Sequence, residues 1–124
     1  MALEHEELTE RIIGAAITVH RRLGPGFLES IYERALEVEL RRAGLRVERQ
    51  VQVAVRYEGV EVGDHRLDMV VEGLIVLELK AIQAIEDVHF AIVRSYLKAT
   101  GLRHGLLLNF SEMPLKIKRV IFDG

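Results

Sequence analysis

The sequence predicts an α/β protein in which a mixed central β-sheet is flanked by helices, with elements in the order ααβββαββ. Three observations carry that reading. Two stretches near the start repeat apolar residues at helical spacing; two later segments, 74–79 and 105–110, are almost wholly apolar, as strands covered on both faces are. A third helical stretch lies between those two strands, where a crossover between neighbours would run.

The first helix is expected over 6–23, with Leu8, Ile12, Ala16, Val19 and Leu23 in one stripe and an acidic first turn that suits the helix dipole. Gly24-Pro25-Gly26 stops it. His20, at the edge of the stripe, reads as a packed, hydrogen-bonded side chain. The second helix is expected over 27–43, closed by Gly44, with Leu28, Ile31, Tyr32, Ala35, Leu36 and Ala43 inward. Glu29 borders that face: it either interacts with the free amides of the first turn or reaches inward to the sheet. Glu39, near the helix end, is expected to pair with Arg42 or Arg46.

Residues 47–57 switch to a period of two, with Val47, Val51, Val53 and Val55 among polar neighbours, the pattern of a strand with one solvated face. Glu58-Gly59-Val60 and Gly63-Asp64 look like turns. A hairpin over 66–80 follows, then a connection over 82–87 and a third helix with Val88, Ala91, Ile92, Ser95, Tyr96 and Ala99, ending at Thr100-Gly101. Strands over 105–110 and 115–122 close the chain, with Pro114 between them and Lys116, Lys118 and Val120 on one face of the last.

A chain of 124 residues is expected to form one domain, 1–124, able to bury a core without staples. Hydrophobic residues make up 49% and charged residues 29%, which excludes a disordered chain. With no cysteine, disulfides and thiolate zinc sites are excluded. The acidic start, MALEHEEL, resembles no signal peptide, and no apolar run approaches membrane-spanning length, so a cytoplasmic location and no membrane partner are expected. The net charge of -2 is unevenly spread: residues 89–124 carry 6 basic groups and 2 acidic ones. That basic third could face phosphate or be an ordinary solvated surface.

The chemistry concentrates in RLDMVVEGLIVLELKA, 66–81. Alternation puts Glu78 and Lys80 on one face of an apolar strand, where burial is costly unless they are paired or bind something. The connection from the preceding strand decides whether Asp68 joins them. A three-residue turn at Glu72, Gly73 and Leu74 sets Val71 against Ile75 and Asp68 against Glu78, close enough for two carboxylates to hold one hard cation. A two-residue turn would pair Asp68 with Leu77 and separate the carboxylates. The alternative to a metal site is a part-buried salt bridge between Lys80 and one carboxylate.

The stretch GFLESIY, 26–32, together with VHRRLGPGFLESIY, LELKA and SYLKATG, resembles the GxxExxY proteins over nearly the whole chain, with Gly26, Glu29 and Tyr32 in the named positions. That family is placed in the PD-(D/E)XK, or restriction-endonuclease-like, superfamily. The resemblance implies a restriction-endonuclease-like core and a Mg2+-dependent nuclease, Mn2+ being able to substitute, that acts on nucleic acid, DNA above all. It implies Asp68, Glu78 and Lys80 as the signature residues, with Asp68, Glu78 and Glu29 holding the metal. Similar nucleases carry a glutamine where this chain has Ile92, four residues before Tyr96. His89, about 60° from Ile92 on the helix, is an accessory candidate, as are Tyr96 and Tyr32, although tyrosines of this kind are most often core aromatics with a polar handle. The competing readings are a nuclease-fold nucleic-acid-binding or interaction domain without turnover, and a small dimeric protein with a buried ion network. Specific recognition by so small a chain would call for a homodimer or a partner subunit.

Overall fold

The computed structural model describes residues 4–124 and has the expected element order: α1 (Glu6–Leu23), α2 (Glu29–Arg42), β1 (Val47–Tyr57), β2 (Val60–Val71), β3 (Ile75–Lys80), α3 (Asp87–Thr100), β4 (His104–Asn109) and β5 (Lys116–Ile121). The strands form one sheet in the order β1-β2-β3-β4-β5. Only the β3–β4 pair is parallel, and α3 makes the crossover that such a pair requires. The most apolar strand, β3, is therefore the central one, with buried residues throughout until Lys80. No helix among the described residues is long and apolar enough to cross a membrane.

Each face of the sheet has its own core. On one, α1 and α2 bring Ile12, Ala16, Tyr32, Leu36 and Leu40 against Met69, Leu77, Leu79, Leu106, Leu108 and Phe110. On the other, Val93 and Leu97 of α3 pack on Leu67, Val70, Val76, Leu107 and Val120. Apart from Glu78 and Asn109, the strand segments 75–79 and 105–110 are apolar on both sides because helices cover both sides. α3 lies so close to β4 that a Cβ on Gly105 would stand 2.8 Å from Val93 Cγ1.

Three local expectations change. β2 begins at Val60, and Gly63-Asp64 lies inside it, opposite Val55 and Ala54; the real turn is Glu58-Gly59, where both residues are left-handed (φ 52° and 78°). Gly63 sits where the register slips between Val55 and Arg56, so this glycine marks a bulge instead of a turn. α2 starts at Glu29, two residues later than its apolar pattern suggests. The preceding segment is held as a turn by Tyr32, whose hydroxyl donates to Gly24 O and accepts from Phe27 N–H (3.1 Å). Glu39 pairs with Arg22 of α1 at 3.4 Å, not with Arg42 or Arg46, because the two helices lie side by side.

Tyr32 is fully buried and its ring stacks on Phe110 with centroids 4.6 Å apart, so the side chain ties the α1–α2 turn to the sheet. Tyr32→Phe keeps the stack and leaves two turn groups without their partner. A loss of about 1–3 kcal/mol in urea unfolding is expected, with an unchanged m-value.

Candidate active site

The β2–β3 connection has the three-residue form. Val71 faces Ile75, and Glu72 and Gly73 are both left-handed (φ 55° and 64°). Leu74 N–H closes the turn on Val71 O at 3.0 Å. The ladder then runs only to Met69 and Leu77, after which the two strands part. Asp68 stands at the parting. Its Oδ2 accepts from Leu79 N–H at 2.9 Å, so a side chain takes over an amide that the neighbouring backbone no longer meets.

The parting has a counterpart on β1. In the β1–β2 register Gln50 falls opposite Asp68, and Gln50 is left-handed (φ 54°) within its strand. Val47 and Met69 point toward α1 and α2, whereas Val51, four residues after Val47, and Leu67, two residues before Met69, point toward α3. Strict alternation would keep each pair on one face. Both strands therefore rotate about the Gln50–Asp68 pair, and this rotation carries the aspartate to the mouth of the gap.

On β3, Leu77 and Leu79 enter the α1–α2 core, and Glu78 and Lys80 take the opposite face. Glu78 is 6% exposed. Its Oε2 lies 3.3 Å from Lys80 Nζ, and its Oε1 is buried with no hydrogen-bond partner. Burial, followed by the charge of Asp68, pushes the Glu78 carboxyl up to about 8, against the opposing pull of Lys80. Asp68 is raised too, first by burial, then by Glu33 and Glu29; the Leu79 amide and a hydrogen bond from Glu78 act the other way. The charge of Asp68 thus makes ionisation of Glu78 harder, the usual outcome when two carboxyls occupy one poorly hydrated site.

A family model described as the PD-(D/E)XK nuclease superfamily matches residues 6–120. The chain belongs to that superfamily. Among solved structures, the crystal structure of SSO0001 is similar in fold, with a TM-score of 0.60 at 16% identity over 94% of this chain. The chain spans 59% of the length of SSO0001. Comparison with curated proteins gives no match. The name PD-(D/E)XK describes an acidic residue followed by a second one two places before a lysine; Asp68 and Glu78-Leu79-Lys80 supply that string, with Leu67 where the name has proline.

The other sequence candidates of this PD-(D/E)XK protein are placed unequally. Glu29 is exposed in the first turn of α2 and acts on Asp68 only through its charge. Among the described residues, the one trio of ligand-type side chains with atoms mutually within 4.8 Å is Glu4, His5 and His104, so Glu29 is not at ligating distance from Asp68 and Glu78 together. Tyr96 borders the site: burial, then the charges of Glu78 and Asp68, push its phenol up to about 12, which keeps it a neutral hydrogen-bond donor. Its ring meets His65 edge-on at 4.9 Å. Ile92, one turn earlier, is half-buried. His89 caps α3: its Nδ1 accepts from Glu86 N–H at 2.8 Å, which commits that nitrogen to the helix start. Tyr32 lies in the opposite core. His20 packs against Phe110, but its Nε2 has no partner, so only half of the packed, hydrogen-bonded expectation is met.

Two positions escaped the sequence reading. Glu33, one helical turn after Glu29, is the larger of the two α2 influences on Asp68 and is 6% exposed. Arg49 NH1 (2.7 Å) and Gln50 Nε2 (2.9 Å) donate to it, and Arg49 Nε also reaches Glu37 at 3.0 Å. The i,i+4 spacing of Glu29 and Glu33 was the available signal. Asn109, fully buried, accepts from Ile82 N–H (3.1 Å) and donates to Ile82 O (2.9 Å) and Glu112 Oε2 (2.7 Å). Together with Phe110 N–H on Lys80 O (2.8 Å), it fixes the chain just past Lys80. A lone polar residue ending an apolar strand was its signal.

A carboxyl whose folded pKa lies near 8 against an ordinary 4.5 holds a proton that the unfolded chain has lost, so stability falls as pH rises between those values. Unfolding followed from pH 5 to pH 9 in the absence of divalent ions should show a loss on the order of 2–4 kcal/mol. Glu78→Gln should flatten the profile, and an equally steep profile in the variant would exclude Glu78 as its source.

Proposed function

We propose that this chain hydrolyses phosphodiester bonds of DNA in a Mg2+-dependent reaction, with Asp68 and Glu78 as metal ligands and Lys80 as the catalytic cation. The supporting observation is Glu78 Oε1: a buried carboxylate oxygen without a partner is expensive, and beside Asp68 it forms an all-oxygen donor pair of the kind that suits Mg2+. Mg2+ or Mn2+ bound there would supply a Lewis acid and a water of lowered pKa. Glu29 is assigned an outer role, adding negative charge toward the site without contact.

The remaining work falls to the chain itself. Asp68 is fixed by the Leu79 amide, and Glu78 by its strand, so the two carboxylates are held without a mobile loop. Lys80, half-buried at the strand end and 3.3 Å from Glu78, brings positive charge to the place where a phosphate oxygen gains negative charge, and can orient the attacking water. Tyr96 offers a neutral O–H on the same side.

The sheet register also suggests where DNA lies. Lys80 faces Asn109, which faces Lys116; Glu78 faces Leu107, which faces Lys118. Both lysines are exposed on the edge strand, roughly 10 Å across the sheet from the site, and they project on the face that carries Glu78 and Lys80. We assign them to backbone phosphates. A chain of this size has little surface for sequence-specific reading, so a second copy or a partner subunit is the expected source of any specificity.

The second reading, binding to nucleic acid without turnover, is favoured by Ile92, which offers no polar group one turn before Tyr96. Calorimetry separates metal from no metal. Wild type should bind Mg2+ or Mn2+, and Asp68→Ala and Glu78→Ala should abolish it; absence of binding in wild type sinks the nuclease reading. With metal bound, Lys80→Ala should slow cleavage of single-stranded, duplex or flapped DNA by roughly 10²–10³. Binding of all three DNAs without any cleavage by wild type would establish the second reading.

Replacing Lys116 and Lys118 together by Glu should weaken duplex binding without altering metal affinity. The slope of log K against log salt should drop by about 0.9 for each phosphate that is no longer neutralised. An unchanged slope would remove β5 from the DNA path.

A further inference from the structure

β3 and β4 run in parallel from Ile75 and His104 to Lys80 and Asn109, so along β3 their starting end lies about 10 Å from Glu78 and about 16 Å from Lys80. At that end Glu4 and His5, which lead into α1, meet His104. Two imidazole nitrogens converge on one carboxylate oxygen: His104 Nε2 lies 2.8 Å and His5 Nε2 3.6 Å from Glu4 Oε1, and the three ligand atoms all lie within 4.8 Å of one another.

The surroundings present this trio as a donor set. Arg103 NH1 donates to the other oxygen, Glu4 Oε2, at 3.1 Å, and Arg103 NH2 donates to Asp123 at 2.6 Å. The carboxylate is thereby oriented with Oε1 toward the imidazoles, the arrangement in which a ligating carboxylate is fixed by an outer hydrogen bond. His5 is left-handed (φ 57°, ψ 30°), a conformation that few non-glycine residues adopt, histidine more readily than most. It stands at the N-cap of α1, yet its ring makes no capping hydrogen bond. The two imidazole rings meet edge-on with centroids 5.4 Å apart, which leaves both Nε2 atoms directed at Glu4.

We propose that Glu4, His5 and His104 bind a late first-row divalent ion of the zinc class. Two imidazoles and a carboxylate form a borderline donor set that favours Zn2+, Co2+ or Ni2+ and ill suits Mg2+, which prefers oxygen alone. Ligand atoms around a tetrahedral zinc stand roughly 3.3–3.5 Å apart, and the 2.8 and 3.6 Å separations straddle that range. Coordination through Nε2 requires the imidazole tautomer with its proton on Nδ1, so the metal replaces the hydrogen bond between His104 Nε2 and Glu4 Oε1. Side-chain exposures of 46% for Glu4 and 32% for His5 leave the remaining coordination position open to water. Bound there, the ion fastens the start of α1 to a strand 100 residues further along the chain, a staple independent of the nuclease reading.

The test uses the full untagged chain carrying Glu78→Gln, so that the acidic site does not contribute, and takes zinc chloride as the probe. Calorimetry should show one equivalent with micromolar or tighter affinity, and Co2+ should give visible absorption bands free of thiolate contributions, since the chain has no cysteine. Zn2+ at a hundredfold excess over Kd should raise Tm by about 5–10 °C, whereas millimolar Mg2+ should leave it unchanged. His104→Ala and His5→Ala should each weaken binding at least tenfold; His5→Ala, at the chain's edge, keeps the test valid should His104→Ala fail to fold. No saturable zinc binding, or the same affinity in the His5 variant, would overturn the proposal and reduce the trio to a hydrogen-bonded ion pair.

Discussion

The carboxylate of Glu78, placed in the middle strand of a sheet covered on both sides, is the constraint around which the rest of the structure is arranged. Apolar neighbours deny it water, and Lys80 reaches only one of its oxygens. An apolar residue at this position would cost nothing comparable, and replacing buried ionic groups by well-packed apolar ones is often neutral or stabilising. The pair persists here against that gradient. The features nearest to it read as accommodation: β2 parts from β3 at Asp68, β1 rotates at Gln50, and Asn109 fixes the chain beyond Lys80.

How far this arrangement is legible in the sequence follows from the range of the forces involved. Alternation along 75–80 is a local property of extended backbone, and it places Glu78 and Lys80 without any knowledge of the rest. The three-residue turn is equally local, since Glu72 and Gly73 carry the left-handed positions that fix the register. From these the register of β2 on β3 follows as far as Met69 and Leu77, though not the parting of the strands at Asp68, and the apolarity of 74–79 and 105–110 identifies the strands that lie between two helical layers. The start of β2 is less legible, because a glycine at a bulge, such as Gly63, and a glycine in a turn look alike to a local reading.

What stayed hidden depends on contacts between distant residues. Nothing in the string near Gln50 announces a left-handed residue within a strand; it follows from Asp68 lying opposite and from Glu33 across the helix–sheet gap, 17 residues away, taking the Gln50 amide. Glu33 looked like one more acidic residue on a charged helix, and only Arg49 and Gln50 beneath it reveal a buried network. Glu29 drew attention through a motif, yet it lies on the exposed side of the same turn. The motif marks the right helix, and packing decides that Glu33, not Glu29, turns inward.

That division clarifies the part played by α2. Arg49 neutralises Glu33, which would otherwise add its full charge to a site already crowded with carboxyls. Burying Glu33 without Arg49 would leave an uncompensated charge in the interior, a situation that costs several kcal/mol in measured cases. With Arg49 in place, the carboxylate becomes a support that ties α2 to β1 at the level where β2 departs. The negative potential at Asp68 is thus set by α2 through two groups of opposite design, one buried and paired and one exposed and free to be screened by salt. Screening weakens only the second. The acidity of the site should therefore be governed chiefly by its buried geometry and little by the ionic strength around it.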